Sequence, residues 1–344
     1  MKIKNIKSMV ALAAMALTTV SCENGDWEFP DYGHTAVYFA YQSPIRTITL
    51  GEDYYDTTLD NEHKCQIMAT MGGVYANNKD ITIDIKVDNT LCDGKIFKDN
   101  NRDIVPMPAS HYTLSSDKIV IPSGKLLGGV TVQLTDAYFN DPLSTQLNYV
   151  IPVVMTKVTG ADSILVGKKK EIVTNPVRTN ANDWDVLPQD YILYAVKYIS
   201  KYDANYLRRG TDEYSGAKTG TVTRQEEYVE KDEVINGFST LGINVVEWER
   251  PTKDAIGNNV DCRLKLTFDE NGRCTVTSNS EGVTATGSGE YVVRGEKNSW
   301  GGKDRDALYL DYTIEYSGIK CHTKDILVVR DRGVKAEWFT IENK

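Results

Sequence analysis

From Ile81 to Asp88 the chain reads Ile-Thr-Ile-Asp-Ile-Lys-Val-Asp, apolar and polar by turns. Side chains of an extended chain point alternately to opposite faces, so a period of two predicts a half-buried strand here. The same alternation returns at 118–122 and 130–134, with Ser123-Gly124 and Gly128-Gly129 as turns between them. Pro152, inside the apolar run 149–155, predicts an edge strand or a bulge, because proline has no N–H to give a central ladder. About seven short strands between Tyr32 and Val166 predict an antiparallel β-sandwich of immunoglobulin size.

Beyond a polar stretch, Thr174 to Asp183, the alternation resumes. Leu308, Leu310, Tyr312, Ile314 and Tyr316 share one parity, and Tyr309, Asp311, Thr313 and Glu315 the other. Further strands are expected at 192–199, 243–249, 290–294, 326–329 and 335–341. With one hairpin, about eight strands predict a small antiparallel β-barrel of lipocalin-like size. No long stripe of period 3.6 appears, so the expected class is all-β: a sandwich over 32–172, a linker over 173–183 and a barrel over 184–344.

The hairpin around Asp269-Glu270-Asn271-Gly272 has a register that the sequence can decide. A two-residue Asn-Gly loop would set Leu266 against Thr277 and Phe268 against Thr275. A three-residue loop with left-handed Gly272 sets Phe268 against Cys274 and Leu266 against Val276, apolar on apolar, and is expected. Cys262 then lies roughly 20 Å from Cys274, too far to bridge.

The first residues differ in kind. Lys2, Lys4 and Lys7 precede an uncharged run, Met9 to Val20, and Cys22 follows Ser21. A basic start, a short apolar segment and a small residue make a secretory signal over 1–21. The run is too short to span a bilayer. Leu17 to Ser21 reads as a loose lipobox, so Cys22 is expected to carry acyl chains that anchor the protein through a tether over 22–31. Glu23, Asp26 and Glu28 in that tether favour display on the outer surface.

A net charge of −9, made more acidic by loss of those three lysines, argues against nucleic acid as a partner. Five cysteines remain after Cys22, an odd number at irregular spacing, and their redox state stays open. No C-x-x-C pair, phosphate loop or nucleophile elbow occurs, and Asp99-Asn100-Asn101-Arg102-Asp103 starts like a calcium loop but places Ile104 where glycine is needed. Neither a metal nor a cofactor is expected.

The segments HTAVYFAYQ, DITIDIKVDNTL, MPASHYTLSSDKIVIPSG and LNYVIPVVMTKVTG resemble an Ig-like N-terminal domain of Bacteroidetes surface lipoproteins. In some of its relatives that domain precedes an endo-β-N-acetylglucosaminidase domain. NANDWDVLPQDYILYAVKYISKYDANYLRRGTDEY resembles the β-rich C-terminal domain that often follows it. The resemblance implies a setting in glycan utilisation and carries over no catalytic residue.

Candidate binding residues cluster after the linker. Tyr194, Tyr198, Tyr202 and Tyr206 share one parity downstream of Trp184. Facing outward they would form a platform for sugar rings, with Arg208, Arg209 and Asp212 meeting the hydroxyls. Facing inward they would line the barrel core. Asp183, Asp185 and Asp190 are the carboxylates that a glycosidase would use, or else turn and cap residues. The expected protein is therefore an outer-membrane lipoprotein that binds oligo- or polysaccharide without catalysis, beside a TonB-dependent transporter complex. The alternatives are a surface scaffold or adhesion protein, whose sandwich edge near Pro152 accepts a partner strand, and a glycoside hydrolase.

Overall fold

The structure, a computed structural model, describes residues 31–344, so the expectations for residues 1–21 and for Cys22 lie outside the described residues. Two large β-sheets dominate, with only short helical turns between strands. No described helix is long and apolar enough to cross a membrane.

The first sheet is one twelve-stranded ladder. One run carries Ala36–Tyr38, Lys64–Gly72 and Leu127–Leu134; the other carries Lys118–Ile121, Ile81–Val87, Tyr149–Thr159, Tyr191–Ile199 and Pro44–Thr49. At the hairpin that joins the runs, Val120 pairs with Gly129 alone. Val37, Ile67, Val130 and Val132 from one run meet Ile81, Ile83, Ile119 and Ile151 from the other in a single core, so the ladder folds over on itself there. Gly128 and Gly129 are strand residues rather than a turn. A Cβ on Gly128 would lie 2.0 Å from the Val120 carbonyl oxygen, and only glycine allows the two runs to approach so closely.

The alternation at Ile81, Ile83 and Ile85 holds, all three being buried, while Val87 emerges at the surface. Three strand pairs are parallel, against the antiparallel expectation: 36–37 with 163–164, 149–150 with 105–106, and 195–199 with 45–49.

Pro152 is a correction. Its strand is central, flanked by Tyr191–Ile199 on one side and Ile81–Val87 on the other. The Pro152 carbonyl accepts from the Asp88 N–H, so its nitrogen faces that same side. There the partner strands break: Val105–Pro106 pairs as far as Val150, and Ile81–Val87 begins at Val153. Proline sits where no N–H is required. No free edge exists at Pro152 to accept a partner strand.

Tyr191–Ile199, expected as the first barrel strand, belongs to this first sheet. Ile192, Tyr194, Val196 and Tyr198 enter the main core, whereas Tyr191, Leu193 and Ala195 enter a smaller one on the opposite face. A strand buried on both faces is apolar at both parities, as this one is. The C-terminal segment also returns to the first sheet. Glu337–Trp338 pairs with Pro44–Ile45, Ile341–Asn343 pairs with Lys95–Phe97, and Phe339 packs edge-on against Phe97 at 5.0 Å in the smaller core.

The second sheet has ten strands, all antiparallel where they pair. Asn205–Gly216 pairs with Ile319–Asp331, and the ladder continues through Lys303–Tyr316, Val283–Ser299, Arg273–Ser278, Arg263–Phe268 and Val245–Glu249 to Phe238–Gly242. On its other side Asn205–Gly216 carries Gly220–Arg224 along one half and Glu233–Ile235 along the other. The sheet curls around one core but does not close into a barrel, since no ladder among the described residues joins Phe238–Gly242 to those two short strands. At the turn Asn236-Gly237 the Gly237 carbonyl accepts from the Glu249 N–H, which draws the chain toward the far end of the ladder without pairing the strands. The expected hairpin register is present: Phe268 pairs with Cys274, Leu266 with Val276, and Gly272 is left-handed at φ +81°.

Candidate functional site

The structure divides the predicted site residues among different places. Trp184 is half-buried in the connecting segment, and its indole N–H donates to the Val177 carbonyl at 2.9 Å. Tyr194 and Tyr198 lie in the first core, where the Tyr198 hydroxyl donates to the Phe139 carbonyl at 3.0 Å. Tyr202 and Tyr206 lie in the second core: Tyr202 stacks on Phe268 at 3.5 Å, and Tyr206 donates to the Tyr202 carbonyl at 2.7 Å. All four tyrosines are buried, so no outward platform exists. Ser200 to Ala204 carries the chain from one sheet to the other and splits the sequence stripe between two cores.

The carboxylates near Trp184 serve structure. Asp183 accepts from the Val177 N–H and from the Asn180 amide, and both oxygens of buried Asp190 share the Arg178 Nε–H, at 3.0 and 3.2 Å. Asp185 lies exposed, 4.0 Å from Lys168.

Arg208 and Asp212 do come together. They share the inward parity of Asn205–Gly216 with Tyr206, and both are buried. Arg208 forks onto Asp325 with two bonds of 3.0 Å and lies over the Trp248 ring at 5.1 Å. Asp212 accepts from Arg224 at 2.5 and 3.2 Å, Arg250 at 3.0 Å, Thr323 at 2.7 Å and Tyr214 at 3.1 Å. Arg224 also donates to Asp325, as does the Tyr312 hydroxyl, each at 2.9 Å. Burial alone would raise the Asp212 carboxyl, but the charge of Arg250 and the bonds from Arg224 and Thr323 outweigh it and hold the group well below the usual carboxylate range. Burial likewise works against the Arg224 and Arg250 cations, yet the anionic surroundings raise both. Arg209 points the other way, to Asp232 at 2.6 Å, and takes no part.

Sequence reasoning missed Arg224, Arg250, Thr323 and Asp325. One signal was available. In Ile319–Asp331 the inward residues are Ile319, Cys321, Thr323, Asp325 and Leu327, so two polar residues interrupt an apolar parity.

Above this network, at the seam where the sheet fails to close, lies a cleft of about 680 Å³. Arg250 and Trp248 lie on its network side; Tyr214, Lys218, Glu233 and Lys253 are among its walls. Asn236, Glu249 and Asn259 complete its polar lining. Lys218 sits 3.9 Å above the Tyr214 ring. The five cysteines of the described chain are free and buried, and burial pushes the Cys65, Cys92 and Cys274 thiols up to about 12, so none is poised as a nucleophile. Among the described residues no cluster of His, Cys, Asp or Glu could hold a metal ion.

Residues 31–162 match a family of N-terminal domains, and residues 201–333 match a domain of unknown function, DUF5627. No curated protein matches the chain. A Bacteroides ovatus protein of unknown function, known from a crystal structure, is 49% identical with a TM-score of 0.84, over 90% of this chain and 99% of that one. A second, also from Bacteroides ovatus and of unknown function, is 14% identical with a TM-score of 0.39, over 89% of this chain and 100% of that one. A third from that species, provisionally named a carbohydrate-binding protein, is 13% identical with a TM-score of 0.29, over 90% and 97%, and carries no argument for this chain. At 49% identity across nearly the whole of the first relative, the chain belongs to this family of two-domain Bacteroides β proteins, in which the N-terminal domain is followed by DUF5627.

Proposed function

We propose that the protein is a non-catalytic, lipid-anchored glycan-binding protein of the outer membrane, and that the seam cleft of the second sheet is its binding site. The observation that carries this is the cleft itself: about 680 Å³, bordered by an aromatic ring, two amides and fixed charges, over a rigid buried network. Small-ligand sites occupy about 300–1,000 Å³ and fix orientation with a few placed polar groups. A pyranose offers a CH-rich face to Tyr214 and edge hydroxyls to Asn236, Asn259 and Arg250. The Ig-like sandwich acts as spacer, the acyl chains on Cys22 hold the protein to the membrane, and captured oligo- or polysaccharide passes to a TonB-dependent transporter complex.

Affinity electrophoresis against plant and host polysaccharides tests the site. Retardation by at least one polymer, weakened in Tyr214→Ala, is expected; folded protein that no polymer retards removes the proposal. Two wall carboxylates, Glu233 and Glu249, favour hydrolysis as a second reading. Release of reducing ends that disappears in both Glu233→Gln and Glu249→Gln would replace capture with catalysis.

A further inference from the structure

We infer that the glycan taken by the seam cleft is anionic, bearing carboxylate or sulfate groups on its sugars. The inference rests on the glycan-binding reading of that cleft and adds the ligand's charge to it.

The whole chain carries −9, yet the cleft lining sets Lys218, Arg250 and Lys253 against Glu233 and Glu249. Glu233 is partly engaged already, 3.9 Å from the Arg208 guanidinium. Neither Lys218 nor Lys253 has a carboxylate partner among the described residues. The Lys218 ammonium rests on the Tyr214 ring at 3.9 Å, a contact that holds the cation at the cleft wall without neutralising its charge. The Lys253 backbone is fixed by a bridge to Asn259 and by the Tyr316 hydroxyl, which donates to its carbonyl at 3.2 Å.

Behind the lining, Arg208, Arg224 and Arg250 share the carboxylates of Asp212 and Asp325, with Glu233 of the lining at the outer side of Arg208. Those carboxylates are full. Asp212 accepts five hydrogen bonds and Asp325 four, and an ionised carboxylate has about four lone-pair sites. Two buried donors remain without an acceptor, the Trp248 indole N–H, on a fully buried residue of the cleft lining, and the Arg224 Nε–H. The surplus on this side of the molecule is therefore in donors and in positive charge. A sugar hydroxyl brings a donor along with its acceptor. A carboxylate or sulfate brings acceptors alone, together with the opposite charge.

Paired polymers that differ chiefly in charge test this on the full chain: polygalacturonate beside its methyl ester, and dextran sulfate beside dextran. The charged member of at least one pair is expected to bind about tenfold tighter at low salt and to weaken as salt rises. Which pair responds separates carboxylate from sulfate. The double variant Lys218→Gln, Lys253→Gln is expected to bring the charged and uncharged members of that pair to nearly equal affinity, and a tenfold preference that survives in it overturns the inference. Equal binding of charged and uncharged members overturns the inference and leaves glycan binding standing. Binding to neither member of either pair overturns the inference, and the wider polysaccharide panel then decides whether glycan binding stands; equal retention of duplex DNA also overturns the inference by showing a general polyanion patch.

Discussion

The two sheets solve the problem of a core differently. The first fills its interior with aliphatic side chains, Ile81, Ile83, Ile119, Ile151 and Val153, in a fold-over whose attraction is non-directional. The second packs Tyr202, Phe268 and Tyr291 together at the end near the crossover and Ile314, Tyr316, Ile319 and Cys321 at the other. Between those ends it buries two arginines, Arg208 and Arg250, and two aspartates, with half-buried Arg224 beside them. Aliphatic burial gains with area removed from water and tolerates small errors. Buried charge pays heavy desolvation that only well-placed partners offset. A fold with an apolar option open to it, as the first sheet demonstrates, keeps such a network where position matters more than stability. That place is beneath the cleft.

Breaking one member of the network gives the largest expected effect. Asp212→Ala takes from buried Arg250 its carboxylate partner, leaves Arg224 with Asp325 alone, and should cost about 3–5 kcal/mol. Ile83→Val in the first core, equally buried, should cost about 0.5–1.5 kcal/mol. Urea unfolding of both variants measures the gap. Equal losses would mean that the two interiors are energetically alike and that the contrast fails.

Acid sharpens the contrast by a smaller amount. The Asp212 carboxyl is held below its unfolded value, so its stabilisation is complete above about pH 4 and is lost as pH falls toward the folded value. In the first sheet, burial raises the carboxyls of Asp60 and Asp190 in spite of Arg46 and Arg178. Groups raised by folding add stability as pH falls through their folded values. As pH falls below about 4 the second sheet should therefore lose hydrogen-exchange protection while the first holds it. Simultaneous loss in both would sink the assignment of acid sensitivity to Asp212.

How much of this was legible follows the same division. Period-two alternation located the strand at 81–87 and the 308–316 part of the one at 303–316, and apolar matching set the register of Leu266 on Val276, because both rest on local chemistry. The membership of Tyr191–Ile199 was not legible, since a strand apolar at both parities gives no sign of which sheet will cover it. Closure of the second sheet was misjudged for a related reason. Strand count does not fix whether the end strands meet, and here they are short, Glu233–Ile235 and Phe238–Gly242. For the site, Arg208 and Asp212 were named together with Arg209 as polar partners of an aromatic platform, and only the first two share the inward parity. Their partners Arg224, Arg250 and Asp325 come from distant strands, and only the assembled sheet shows that they converge.

The smallest expected effect compares two turns. Gly124 in the first sheet and Gly272 in the second are both left-handed, at φ +76° and +81°. Alanine in that conformation costs about 1–2 kcal/mol from its own backbone. At Gly124 a Cβ meets nothing within 4 Å, so that conformational cost is the whole effect. At Gly272 the Cβ would lie 2.8 Å from the Tyr291 carbonyl oxygen, which accepts no such neighbour unless the next strand shifts. That strand pairs across the hairpin, with the Tyr291 N–H donating to the Gly272 carbonyl at 2.8 Å, so a shift there loosens a ladder contact as well. Gly272→Ala should therefore lose more stability than Gly124→Ala in thermal unfolding. Equal losses would show that the curled sheet yields at its hairpins as freely as a solvent-facing turn, and a sheet that compliant would not hold the cleft in the fixed shape its proposed ligand requires.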